Sequence, residues 1–307
     1  MANMNKAVLG NKAKKLAFYI GLIVLPVIQF TIFYLFVNFN SIILAFQKFD
    51  LWTGETSFVG TANFAAAFKE LFTEKAFSWR FKNSMIAAFF TLIVGLPFAV
   101  IFSYYIYKKG LMSGTFKTLL YMPNVISSVV LVIIYRYFVE LGVPYIVSKL
   151  FDAEVGGLYS NPDTMFGVVL FFSVWIGFGT QVLMYLSAMS GINVSLVEAA
   201  QLDGITYLKE LWHITIPAIY SVIVTFIVVG ISGIFNNQIC LFSFGGVSVP
   251  SDKQTFGYFL YRELQVNATT KAAWPRLSAI GLIFTLFVAP AAFLARFLLN
   301  KFGPKED

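Results

Sequence analysis

The chain has 307 residues, of which 58% are hydrophobic and only 12% charged, against about 45–50% and about 25% in ordinary soluble domains. With a mean hydropathy of +0.77, that balance excludes a soluble enzyme, a disordered chain and a collagen-like fibre, and it points to a membrane protein. The net charge of +7 is read as loops held on the cytoplasmic side rather than as a nucleic-acid surface, and a lone Cys240 with a lone His213 leaves no disulfide framework and almost nothing for a zinc or haem site.

A bilayer core about 30 Å thick and a rise of about 1.5 Å per residue set the length of a span at about 20 apolar residues. Six stretches satisfy that length: 16–38, 84–107, 118–138, 164–189, 217–242 and 277–299. The first follows Lys6, Lys12, Lys14 and Lys15, a basic start like that of a signal peptide. Its apolar run is too long and lacks a small-residue cleavage site, so it is expected to stay as an anchor. Residues 40–82 then form the first of three outer loops, with an amphipathic helix expected over 64–72 and lying on the membrane. Lys108, Lys109 and Lys117 occupy a short inner loop. Arg136 and Arg296 sit near span ends, where their stems snorkel to the headgroups. The other outer loops, 140–163 and 244–276, like the first, exceed the usual connector of about 4–6 residues and are expected to dock a partner. Inner segments are net basic and outer ones balanced, which places both termini in the cytoplasm and the protein in the cell membrane. Pro26, Gly95, Pro97, Pro123, Gly177, Gly179, Gly230, Gly233 and Pro290 interrupt the spans and mark packing seams or moving parts.

The inner loop 190–216 is too long for a connector and carries local order. Ser195 and Glu198 have the spacing of a capping box, which predicts a helix starting there, with Gly204 ending it in a left-handed cap. A second helix is expected from Thr206 through Leu211 and Trp212 to Pro217, at the first position of span five. Periodicity leaves two readings open: an interfacial hairpin in which Glu198 is only a capping carboxylate, or a short helix with two alanines gripped by another protein.

Glu198-Ala199-Ala200, Asp203-Gly204, Ile214, Ile216 and Pro217 at this spacing closely resemble the EAA loop of permease subunits of binding-protein-dependent ABC importers. The usual leucine before the proline is Ile216 here. The likeness extends to Phe58-Val59-Gly60 with Asn63-Phe64, Asn83-Ser84, Phe116-Lys117-Thr118 before Pro123, and Gly245-Gly246 with Thr255 and Tyr261. That set resembles the carbohydrate branch, specifically the maltose-type first permease subunit. Val247 replaces a usual proline, and Trp274-Pro275 stands where small residues are common. The resemblance implies an all-α integral membrane fold, a single permease domain over 1–307 with six transmembrane helices and a cytoplasmic coupling helix between spans four and five. It makes Glu198, Ala199, Ala200, Asp203 and Gly204 the core that contacts a cytoplasmic ATPase.

A sugar path needs amides, hydroxyls and aromatic faces in otherwise apolar walls. Span four offers Ser173, Trp175, Thr180 and Gln181, and span five offers Asn236, Asn237 and Gln238, with interhelical hydrogen bonding as the alternative use of these groups. By resemblance, aligned without gaps from the EAA loop, Ser173, Ile176, Gly177 and Thr180 in one helix and Gly230, Gly233, Ile234 and Asn237 in the next match sugar-facing positions. The family's asparagine is Ser173 here and its tyrosine Thr180, with Gly233 and Ile234 replacing two further contacts, so a wider pocket is expected.

No G-x-x-x-x-G-K-[ST] loop occurs, so ATP and Mg belong to partner subunits and no cofactor is expected on this chain. The implied assembly contains a second, homologous permease in a heterodimer, two cytoplasmic ATPase subunits and an external solute-binding protein, all serving a sugar substrate in membrane lipid. An importer of a non-sugar solute is the alternative. An ion-coupled secondary transporter needs Asp, Glu or His inside the six stretches and finds none. An intramembrane enzyme needs paired catalytic groups that are equally missing from them.

Overall fold

The structure, a computed structural model, describes residues 2–73, 75–268 and 272–304, with side chains from Lys14 onward. Lys305 and the side chains of Lys6 and Lys12 lie outside that description. Helices Lys14–Leu44, Lys75–Tyr107, Ser128–Phe151, Met165–Ser190 and Trp274–Phe302 are long and apolar enough to cross a membrane. A sixth crossing exists if Tyr207–Ala218 and Tyr220–Ser232, which meet at 71°, form one broken span.

The first, second and sixth expected spans are helical over their whole length, and the fourth over all but its first residue. The third is not. Its helix Ser113–Tyr121 ends in the 3-10 turn Met122–Asn124, where Pro123 lacks an N–H and disfavours helical backbone before it. Helix resumes at Ser128 and runs through Glu140 and Lys149, so the loop expected from 140 begins only at 152. The charge that ends the apolar run in the sequence is met locally: the Glu140 carboxylate accepts the Ser160 N–H at 2.6 Å and the Ser160 hydroxyl at 2.9 Å. The fifth expected span also differs. Tyr220–Ser232 is 13 residues long, about 20 Å, and the backbone then leaves the helix until Leu241–Gly245.

Three π-helical turns share one cause. Phe90–Gly95, Phe138–Gly142 and Leu211–Thr215 each end two residues before a proline, namely Pro97, Pro144 and Pro217. A proline removes the N–H that would serve the carbonyl four residues earlier, and the ladder widens there instead of breaking.

The chain divides into two compact units. In the unit Met1–Lys69 with Thr269–Ile283, strands Gln47–Phe49 and Thr56–Phe58 pair antiparallel. The Asn63 amide donates to the carbonyls of Ala45 (2.9 Å) and Gln47 (2.7 Å) and so ties helix Ala62–Thr73 to this hairpin. The amphipathic helix expected over 64–72 lies within it. At the hairpin tip the N–H groups of Trp52 and Thr53 hold the Asp50 carboxyl below the ordinary carboxylate range.

The unit Glu70–Ala268 with Phe284–Asp307 holds two apolar cores. One is aromatic: Phe172 and Phe244 meet edge to face at 5.0 Å, with Tyr135 and Tyr159 beside them. Arg136, expected to snorkel, instead stacks over Tyr159 at 4.7 Å and donates to the Phe244 carbonyl at 3.2 Å. The other core surrounds Val182, Tyr185 and Met189 of the fourth span, and the Ser103 hydroxyl reaches the Val182 carbonyl at 3.0 Å. Residues 254–259, expected as part of an outer loop, are packed inside this unit, with Gln254, Thr255, Phe256 and Tyr258 buried.

Gly179 lets the fourth span touch the broken turn of the third, since a methyl group there would strike the Leu120 carbonyl and the Asn124 amide. Gly179→Ala is expected to lower stability by about 1–3 kcal/mol, read as a drop in melting temperature, whereas Gly167→Ala, which faces open space, leaves it unchanged. Equal melting temperatures for both variants contradict this contact.

Candidate functional site

A cavity of about 530 Å³ lies between the second, fourth and fifth apolar helices. The second contributes Ser84, Ala87, Ala88, Thr91 and Leu92, the fourth Gly177, Thr180 and Gln181, and the fifth Gly230, Gly233, Ile234, Asn236 and Asn237. Of the eight candidate path residues, six therefore line one space. Ser173 and Ile176 do not: Ser173 is half-buried, and Ile176 packs against the aromatic core. None of the lining residues is ionisable. Thr180 donates to the Asn124 side-chain oxygen at 3.1 Å, which leaves acceptor lone pairs on its hydroxyl. A methyl group on Gly230 would meet the Leu92 side chain, so these two residues touch where the second and fifth helices face each other. The contribution of the second helix was not anticipated, although the small and polar residues 84, 87, 88 and 91 have helical spacing.

The cavity sits at the break of the fifth helix. Ile239 and Cys240 have left-handed backbones (φ 46° and 63°), uncommon for such residues and costly unless their surroundings fix them. The freed backbone groups find partners. Asn236 and Asn237 donate their N–H groups to the Gly233 carbonyl, and Leu241 donates to Gln238. The Ile239 N–H goes to the Asn237 side-chain oxygen at 2.8 Å, and the Asn237 carbonyl accepts the Thr255 hydroxyl at 3.0 Å. The Gln238 side-chain oxygen is buried without a hydrogen-bond partner among the described residues. Beyond the break, Tyr258 donates its hydroxyl to the Gly246 carbonyl at 2.8 Å. Burial pushes this phenol above its ordinary value, opposed by the Val249 N–H and Arg262, so it remains a neutral donor.

The loop after the fourth helix forms the expected short helix, Val194–Leu202. Its cap is different. Asn193, not Ser195, is the N-cap: its side-chain oxygen accepts both the Ser195 N–H (3.0 Å) and the Ser195 hydroxyl (2.8 Å), so the Ser195–Glu198 box does not form. The C-terminal end is as expected. Gly204, at φ +77°, donates to the Gln201 carbonyl and Ile205 to that of Ala200, the paired bonds of a Schellman turn. Glu198, Ala199, Asp203 and Gly204 are exposed and Ala200 is half-buried. Leu202, 89% exposed, leaves an apolar side chain beside them in the open.

The second limb of the loop, Tyr207–Glu210 followed by the π turn, is bolted to the end of the second helix. Lys108 Nζ lies 2.9 and 3.0 Å from the two Glu210 oxygens, with Glu210 1% and Lys108 16% exposed. Tyr104 donates to the Tyr207 carbonyl at 3.0 Å. A larger cavity of about 690 Å³ lies between this limb and the second helix. Its wall is mostly apolar, and the polar ends of Tyr104, Tyr105 and Lys108 in it are already bonded to the Tyr207 carbonyl, the Leu111 carbonyl and Glu210.

The chain is similar to known proteins in sequence and in fold. Residues 89–306 match the family described as "Binding-protein-dependent transport system inner membrane component". The chain is 26% identical over 297 residues to the polygalacturonan/rhamnogalacturonan transport system permease protein YteP of Bacillus subtilis (strain 168), covering 93% of this chain and 88% of that one. It is 30% identical over 214 residues to the arabinooligosaccharides transport system permease protein AraP of the same organism, covering 68% and 66%. In fold it is similar to a chain in the crystal structure of a bacterial ABC transporter involved in the import of the acidic polysaccharide alginate, with a TM-score of 0.74 at 19% identity over 95% of this chain and 98% of that one.

Removing one partner of a buried ion pair strands the other, at about 3–5 kcal/mol. Glu210→Ala is therefore expected to lower the melting temperature of the purified protein markedly, and the double change Lys108→Met with Glu210→Leu to recover most of it. An unchanged melting temperature in Glu210→Ala contradicts the anchoring role.

Proposed function

The chain belongs to the family of binding-protein-dependent transport system inner membrane components, and on that premise we propose that it is one half of the translocation path of a sugar importer driven by ATP. The observation that carries the proposal is the cavity at the helix break, which brings together Gly177, Thr180, Gly230, Gly233, Ile234 and Asn237. Its hydroxyls and amides, set among apolar side chains and without a formal charge, match a neutral, hydroxyl-rich solute. A phosphorylated or carboxylated solute finds no cation in this wall, and leaving such a charge unpaired at membrane depth is expensive.

In this reading a second, homologous permease completes the pore, an external solute-binding protein delivers an oligosaccharide, and two ATPase subunits hold ATP and Mg on the cytoplasmic side. Both termini face that side in the cell membrane. Glu198, Ala199, Ala200, Asp203 and Gly204 form the surface seated on the ATPase. The rigid C-terminal turn and the exposed apolar rim support that assignment, because a helix capped at both ends transmits a push instead of fraying. Closure of the ATPases around ATP moves this helix and its counterpart inward, and the path opens to the outside.

Two measurements test the proposal. Glu198→Lys is expected to abolish the ATPase stimulation produced by loaded binding protein while the subunits still co-purify; stimulation at the original level counts against the coupling role. Asn237→Leu is expected to reduce sugar uptake by about tenfold, the loss of one well-made polar contact, with assembly intact. Undiminished uptake makes Asn237 a structural residue.

A further inference from the structure

Asn237 shows the cavity only one half of its amide. An N–H cannot accept, so the Ile239 N–H at 2.8 Å assigns the side-chain oxygen of Asn237 to the turn. Its backbone carbonyl is taken by the Thr255 hydroxyl at 3.0 Å. What remains is the NH₂ group, a pair of donors with no hydrogen-bond partner among the described residues. A group so arranged recognises an acceptor, such as a hydroxyl, ring or glycosidic oxygen.

The residue holding that arrangement is outside the cavity. Thr255 is fully buried and is the N-cap of helix Phe256–Val266, its hydroxyl accepting the Tyr258 N–H at 3.2 Å. The same hydroxyl donates to Asn237, so one oxygen joins the start of this helix to the broken stretch. Gly257 gives an independent sign of the contact: a methyl group there would strike the backbone of Asn236 and Asn237. The helix start is itself fixed from its other side. The Asn83 amide donates to the carbonyls of Asp252 (2.8 Å) and Gln254 (3.0 Å), and the Ser84 hydroxyl accepts the Phe256 N–H at 3.1 Å.

We propose that Thr255 is a positioning residue for solute recognition: with Gly257 it forms a backing that fixes Asn237 as a rigid donor facing the path. The inference rests on the reading of Asn237 as a path residue. Without the Thr255 hydroxyl the Asn237 carbonyl is left without its partner, the turn relaxes, and the amide no longer has a fixed direction.

The test uses the assembled complex in proteoliposomes, with its binding protein and ATPases, and a radiolabelled pool of neutral arabinan-derived oligosaccharides as the probe. Thr255→Val is expected to speed amide hydrogen exchange over 236–240 and to lower uptake per ATP hydrolysed by about tenfold. Thr255→Ser, which keeps both hydrogen bonds, restores both readouts, and Gly257→Ala behaves like Thr255→Val. A merely structural role lowers uptake and ATP hydrolysis together and leaves their ratio unchanged, which overturns the inference. Wild-type exchange in Thr255→Val, or failure of Thr255→Ser to rescue, also overturns it. Wild-type uptake in Asn237→Leu overturns the path reading and the inference with it, so the two failures are told apart by which variant is silent.

Discussion

A backbone that leaves the helix at membrane depth must satisfy its own polar groups, because lipid offers no partners and each orphan costs several kcal/mol. Residues 233–240 leave the helix within an apolar run of the sequence, and much of the structure around the cavity serves their polar groups. The Asn237 side chain turns back onto the Ile239 N–H, and Thr255 reaches in from 18 residues away in sequence to take the Asn237 carbonyl. The segment carrying Thr255 is in turn tied to Asn83 and Ser84 at the start of the second apolar helix. Irregular backbone of this kind survives in a membrane only where it is enclosed by protein or lines a polar space, and here Ile239 is buried while Asn236 and Asn237 line the cavity.

The two functional regions are joined by one element. The limb Tyr207–Ala218, held to the second helix by Lys108 and Glu210, bends by 71° into Tyr220–Ser232, whose C-terminal half, including Gly230, already lines the cavity. In the proposed mechanism, displacement of the short helix Val194–Leu202 would be passed on through this limb, which is bonded to the second helix, whose residues 84–92 line the cavity. The π turns at Phe90–Gly95 and Leu211–Thr215 lie along this route. Each is set by the proline that follows it, and each is a place where the ladder is already widened.

Long apolar runs made the second, fourth and sixth helices legible, the fourth to within one residue, since no other element can hold 20 such residues in lipid. The fifth was misjudged for the same reason in reverse: Gly233, Ile234, Phe235, Cys240 and Leu241 keep the run apolar, and composition does not report the positive φ values at Ile239 and Cys240. Pro123 was visible as an interruption but not as the end of a helix, and Glu140 looked like a boundary because its pairing with Ser160 is made only in the fold. The Ser195–Glu198 spacing suggested a cap that Asn193 provides from two residues earlier. Thr180, Gln181, Asn236 and Asn237 were legible as polar groups in apolar runs and Gly230, Gly233 and Ile234 through resemblance alone, whereas Ser84 and Thr91 carry a helical spacing that points to the same wall. Thr255 was quoted as part of a family pattern, but its role depends on contacts with residues 18 and more positions away, which no local pattern encodes.

The most direct measurement of the central claim, that the break at 233–240 faces a solute path, is labelling of a cysteine placed there. With Cys240 replaced by serine, Asn237→Cys in the assembled complex is expected to react with a membrane-impermeant maleimide when the path is open to one side of the vesicle, and to be shielded when the binding protein delivers its sugar. A cysteine that stays unreactive in every nucleotide state, in a complex that assembles and hydrolyses ATP normally, contradicts the account.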